Sequence, residues 1–110
     1  MSEQNQLVKF LPGENAQELK KALLPYSNSP IYLTIDLDWF DPSLLPGTGT
    51  PEPGGFFWND FEVILGTLKN FRIVASDVVE LSPEIDNSGV SSVVAAKVLR
   101  SLIMLLEKMQ

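Results

Sequence analysis

Asp36 and Asp38 close the apolar run Ile31-Tyr-Leu-Thr-Ile35 at spacing i, i+2. In an extended chain that spacing sends both side chains off one face, with their backbones roughly 7 Å apart. Two bare carboxylates at the end of an apolar strand repel each other and require a cation or hydrogen-bond donors. Oxygen-only ligands suit a hard divalent ion such as Mg or Mn. Ligand sites in parallel sheets also gather beyond the carboxyl ends of strands. The competing use is as caps on loop amides, the role expected of Asp41 before Pro42. Glu80 stands just past another apolar run, in Ser76-Asp-Val-Val-Glu-Leu-Ser-Pro83, with Asp77 its rival in the same segment. If the two runs are neighbouring strands, Glu80 joins the aspartate pair; otherwise it is a loop cap or a surface charge. Glu52, Glu84 and Asp86 fall in loops and read as solvated. Trp39 and Trp58 flank a Pro/Gly segment and read as its packing anchors.

The rest of the chemical inventory is defined by what the chain lacks. Its 110 residues contain no histidine and no cysteine. That excludes the usual general base, the Ser-His-Asp arrangement, thiolate metal sites and disulfides. Chemistry carried by this chain alone must run on carboxylates, lysine, hydroxyls or backbone. The 8 basic and 14 acidic residues give a net charge of −6, which repels phosphate backbones and anionic lipid; neither nucleic acid nor a membrane surface is an expected partner. At 45% hydrophobic and 20% charged residues the composition is globular. The polar start Met1–Gln6 has no signal-peptide pattern, and no apolar run approaches the ~18 residues of a membrane span. A cytoplasmic location is the expectation.

The elements that must position these residues alternate in type. Leu7–Leu11 reads as a first strand closed by Pro12-Gly13. Asn15 with Glu18 makes a capping box for a helix bearing Leu19, Ala22 and Leu23 on one face, and Pro25 limits it. Ile31–Ile35 is a strand apolar enough to be covered on both faces. Residues 40–55 hold four prolines and four glycines between Asp41 and Gly55; this segment reads as an ordered site loop rather than a linker. Asn59 with Glu62 makes a second capping box, and Phe61, Ile64, Leu65 and Leu68 give the stripe of the helix that follows. Phe71–Val79 is the third strand. The last helix runs from near Gly89 to Lys108 and is apolar almost all round, with Lys97, Arg100 and Glu107 as its exposed strip. This order, within a single domain over residues 1–110, implies an α/β fold: a parallel sheet with helices on both faces and right-handed crossovers.

Taken together, the segments resemble one family. Thr34-Ile-Asp-Leu-Asp-Trp-Phe-Asp-Pro42, then Pro46-Gly-Thr-Gly-Thr-Pro-Glu-Pro-Gly-Gly55, then Asp77-Val-Val-Glu-Leu-Ser-Pro83 before a long Ala/Val/Leu helix is similar to the ureohydrolases, arginase and agmatinase. The Pro-Glu-Pro-Gly-Gly form is more like agmatinase. The resemblance covers roughly residues 7 to 108 and corresponds to the C-terminal third of an arginase-like three-layer α/β/α fold. It implies a dinuclear manganese (Mn2+) centre that activates water against a guanidinium carbon, yielding urea and an amine. On the same terms Asp36 and Asp38 are metal ligands and Glu80 pairs with the substrate guanidinium. The family's histidine ligands, its Asp-x-His-x-Asp segment and its histidine proton shuttle have no counterpart here.

The expectation is therefore a ureohydrolase-derived chain that carries half of a dimanganese site and does not turn over by itself. One alternative is a non-catalytic, self-associating module. Another is a mononuclear Mg site, since Asp-x-Asp also occurs in glycosyltransferases and haloacid-dehalogenase phosphatases. Phe40 stands where the phosphatases place a threonine, which counts against that version. The partners expected are a guanidino small molecule and either further copies of the chain or a missing N-terminal half.

Overall fold

A computed structural model describes residues 16–108. The expected strand at 7–11 and the Asn15 cap lie outside the described residues. Helix α1 is Ala16–Leu23, with Leu19 buried. Pro25 ends it in the expected place, but the chain makes one further 3-10 turn, Leu24–Tyr26, with the proline in its first positions. That placement is permitted because proline lacks only an N–H that the first turn leaves unpaired. Strand β1 is Ile31–Asp36, α2 is Trp58–Leu68, β2 is Ile73–Val79 and α3 is Val90–Lys108.

The two strands pair in parallel, with Tyr32 opposite Ala75, Thr34 opposite Asp77 and Asp36 opposite Val79. A parallel pair needs a crossover, and α2 supplies it. Among the described residues the sheet has these two strands. Residues alternate across β1: Ile31, Leu33 and Ile35 are half-buried against the core, whereas Tyr32, Thr34 and Asp36 are exposed. Coverage of both faces of this strand, expected from its apolar run, is thus found on one face among the described residues; no described element buries the side that carries Tyr32. The core cluster draws Leu19 from α1, Phe61, Leu65 and Leu68 from α2, Ile73 from β2, and Ala95, Val98, Leu102 and Leu105 from α3.

The start of α2 differs from the capping box read at Asn59 and Glu62. The helix begins two residues earlier, with Phe57 as its cap residue, and the Asp60 carboxylate accepts the Phe57 N–H at 2.9 Å. Packing explains the shift. Trp58 leans on Phe61 with ring centroids 5.1 Å apart and carries the Lys97 ammonium 4.6 Å from its ring centre. Both contacts hold Trp58 in the first turn.

A candidate metal centre at the strand ends

The chain leaves β1 through a tight turn. Asp36 is the last strand residue, and Leu37–Trp39 form a 3-10 turn for which Asp36 is the cap. Its Oδ1 accepts the Asp38 N–H at 2.9 Å. Asp36 and Asp38 therefore do not project from one extended strand, as their spacing suggested. Leu37, fully buried, pins the turn to the core, and Asp38 is aimed by that turn rather than by the pleat. Asp36 does both jobs that were rivals in the sequence: it caps an amide and still presents a carboxylate at the strand end.

Asp38 is the more unusual of the two. Its Oδ2 accepts the Thr50 hydroxyl at 2.7 Å, while its Oδ1 is buried and has no hydrogen-bond partner. A buried carboxylate oxygen left unpaired costs on the order of 1–3 kcal/mol, more where the group is charged. A hard cation is the partner that chemistry would supply. Asp77 also has a buried, unpartnered oxygen, Oδ1; its Oδ2 accepts the Tyr32 hydroxyl at 2.6 Å across the sheet. That hydrogen bond, with burial and the Asp77 charge adding, raises the Tyr32 pKa above its ordinary value. Asp77 thus engages a cross-strand partner halfway along β2, whereas Glu80 stands at its end.

Glu80 follows Val79, the residue opposite Asp36, so parallel pairing brings all three acidic positions to one end of the sheet. Glu80 is exposed and has φ 74°, the single non-glycine residue in the left-handed region among those described. Left-handed backbone at a bulky residue stores strain and tends to mark functional positions. No three carboxylates among the described residues converge into a complete metal cage. The donors that could hold an ion are Asp36 and the free oxygen of Asp38, which fit a partial set of oxygen ligands.

The Pro/Gly segment is held against these strand ends at its two ends and its middle. Phe40 and Phe56 form a parallel bridge, with the Asp41 N–H donating to Phe56 at 2.8 Å and the Phe56 N–H to Trp39 at 3.0 Å. Trp39 stacks on Phe56 at 4.3 Å, the anchoring role read for it. Asp41 accepts the Ser43 N–H and hydroxyl and the Gly54 and Gly55 amides; Ser43 chiefly, with the glycine amides, lowers its pKa to about 2. Gly47 donates its N–H to the Ser91 hydroxyl at 2.7 Å, and its carbonyl accepts the Ser82 N–H at 2.7 Å.

Asp86 is not the solvated loop charge that its position suggested. It accepts the hydroxyls and backbone amides of both Ser88 and Ser91, with Ser88 the larger cause of a carboxyl held well below the usual range. The signal was present as Asp86-Asn-Ser-Gly, an Asx-turn pattern before a helix. Glu52 and Glu84 are exposed, as read. A separate cavity of about 420 Å³ between α2 and α3 is lined by Trp58, Lys69, Lys97 and Met104, and none of the strand-end acids lines it.

Comparison with known proteins bears on the whole arrangement. The family model for the arginase family matches residues 4–105. An agmatinase from Chromobacterium violaceum is 38% identical over 89 residues, 81% of this chain and 27% of that protein. The structure of agmatine ureohydrolase from Thermoplasma volcanium superposes with TM-score 0.68 at 31% identity, covering 87% of this chain and 32% of the other. Proclavaminate amidino hydrolase from Streptomyces clavuligerus gives TM-score 0.76 at 28% identity, covering 86% and 32%. The chain thus spans about a third or less of the length of these relatives.

Proposed function

The chain belongs to the arginase family, and on that premise we propose that it carries one part of a metal-dependent site for hydrolysing a guanidino compound to urea and an amine. Asp36 and Asp38 are the residues that would hold manganese, and Glu80 would receive the guanidinium. The observation that carries this reading is the buried, unpartnered Oδ1 of Asp38 at a strand end shared with Asp36 and Glu80. A bound pair of divalent ions supplies a water-derived nucleophile near neutral pH. The chain's own residues do the rest of what is assigned here: Asp36 and Asp38 offer oxygen ligands, and Glu80 offers a carboxylate for charge-assisted hydrogen bonds to a planar cation. Family membership favours this reading over the mononuclear Mg alternative.

With no histidine in its 110 residues, the chain has neither imidazole ligands nor an imidazole proton shuttle, and two aspartates cannot orient two ions. The proposal is that the chain alone is inactive. Incubated with manganese and agmatine or arginine, it should release urea only at the level of a metal-only blank. Urea above that blank, abolished by Asp38→Ala, would overturn the half-site reading. The substrate assignment stays at the level of a guanidino group, and a cytoplasmic setting remains part of the same proposal.

A self-associating module is the second reading, and the exposed apolar residues favour it. Tyr32 is 60% exposed, Val93 68% and Ile103 51%. The two readings are compatible, because a partial site can sit on a surface that pairs with another chain.

A further inference from the structure

We propose that Ser91 is a positioning residue for Glu80, acting through the backbone of Gly47. The inference rests on the guanidinium role given to Glu80 above. The Glu80 side chain is exposed and forms no hydrogen bond or ion pair among the described residues. Its direction is therefore set by the backbone that carries it. That backbone has φ 74° at a bulky residue, and such a conformation persists only where the surroundings over-determine it. Residues 80–82 lie between the end of β2 and the 3-10 turn Pro83–Ile85, and neither element includes them.

Hydrogen bonds in series hold this segment. The Ser82 N–H donates to the Gly47 carbonyl at 2.7 Å. The Gly47 N–H donates to the Ser91 hydroxyl at 2.7 Å, and that hydroxyl donates to the Asp86 carboxylate at 2.6 Å. Ser91 is fully buried and forms the fixed end of the series. The approach at Gly47 leaves no room for a side chain: a Cβ there would come within 2.8 Å of both the Cβ and the hydroxyl oxygen of Ser91. One residue of the Pro/Gly loop thus joins the first turn of α3 to the turn that carries Glu80. Ser88 supplies the contrast. Its hydroxyl also donates to Asp86 and accepts the Val90 N–H, but it makes no bond to Gly47. The two serines share a carboxylate, and only Ser91 reaches the site. A binding carboxylate must be held to within about 0.5 Å by its supporting contacts, and fixing it in advance removes an ordering cost from binding.

Nuclear magnetic resonance of the isotopically labelled full chain tests this without reference to turnover. In the wild type the amides of Glu80 and Ser82 should have order parameters of about 0.85, those of rigid backbone. Ser91→Ala should lower them toward about 0.6, while Ser88→Ala, which removes the matched hydroxyl, should leave them unchanged. Gly47→Ala keeps both serines, forces the same junction apart from the loop side, and should loosen residues 80–82 as Ser91→Ala does. Agmatine added without metal should shift the Glu80 carboxyl carbon saturably in the wild type. Ser91→Ala should raise the midpoint by ~2- to 10-fold, the cost of ordering one side chain or loop position, and Ser88→Ala should not. Residues 80–82 as rigid in Ser91→Ala and Gly47→Ala as in the wild type would overturn the inference and leave the Glu80 reading standing. Equal loosening in Ser88→Ala would assign the effect to the start of α3 and overturn it as well. A wild-type carboxyl carbon that ignores agmatine would overturn the guanidinium reading and, with it, the role of Ser91.

Discussion

Asp41 shows how a single carboxylate can govern a loop. Four donors, two from Ser43 and the amides of Gly54 and Gly55, lower its pKa from 3.8 to about 2. A carboxyl whose folded value lies below its unfolded value stabilises the fold fully above the unfolded value. That contribution fades as pH falls from near 3.8 through about 2. Thermal midpoints of wild type and Asp41→Asn should therefore differ most at neutral pH and converge across this acid window. A difference that stays constant down to pH 2 would assign the loop's stability to other contacts. Glu80 makes a different case. Its φ of 74° costs on the order of 1 kcal/mol that glycine would not incur. Glu80→Gly should be at least as stable as wild type, whereas Glu62→Gly inside α2 should cost ~1 kcal/mol. Equal losses at the two positions, read from urea midpoints, would deny that backbone strain resides at Glu80.

At the scale of elements, the loop's glycines are unequal. A Cβ on Gly55 would come within 2.6 Å of the Asp41 nitrogen and 2.8 Å of its Cα, both backbone atoms that cannot move aside. One on Gly49 would meet nothing within 4 Å. Gly55→Ala should cost ~1–3 kcal/mol, as overpacking does, and Gly49→Ala should stay within ~0.5 kcal/mol of wild type. Similar losses, measured by chemical denaturation, would contradict the close approach of residues 40 and 55. The elements themselves were largely legible in the sequence because each carries its own periodicity. β1, β2 and α3 lie close to where their apolar runs put them, β2 starting at Ile73 rather than Phe71, and parallel pairing followed from the crossover rule. The 3-10 turn at Leu37–Trp39 was not legible. Its residues continue the apolar alternation of β1, so a period of two reads straight through it. Only the burial of Leu37 and the Asp36 cap, both tertiary facts, bend the chain there. Acidic residues at strand ends were visible in the sequence, whereas the unpartnered oxygen of Asp38 was not. Strand ends are written in pattern, but a missing hydrogen bond is written in space.

Over the whole molecule, the described residues leave several large apolar side chains exposed to solvent. On α3 alone Val93 is 68% exposed, Leu99 50%, Ile103 51% and Met104 51%. The described sheet has two strands, so each has one outer edge with no strand partner among those residues, and a two-stranded sheet is marginal by itself. Self-association is the expected response. Light scattering at micromolar concentration should give a mass above 12.2 kDa that rises with concentration, and Val93→Lys with Ile103→Lys should shift it downward. A single, concentration-independent mass of 12.2 kDa would exclude assembly.

The Gly47 anchor has a consequence for how the molecule opens. Its amide is bonded to a hydroxyl 44 positions away, and that hydroxyl also donates to Asp86 at 2.6 Å. Freeing the amide therefore requires the start of α3 to part from the loop, a sub-global event rather than a local fluctuation. Deuterium should enter Gly47 slowly, at a rate close to that of the buried Val98 amide, while Gly49 and Glu52 exchange within the dead time. The middle of the loop and its anchor would then keep separate clocks, with the slow one set by α3.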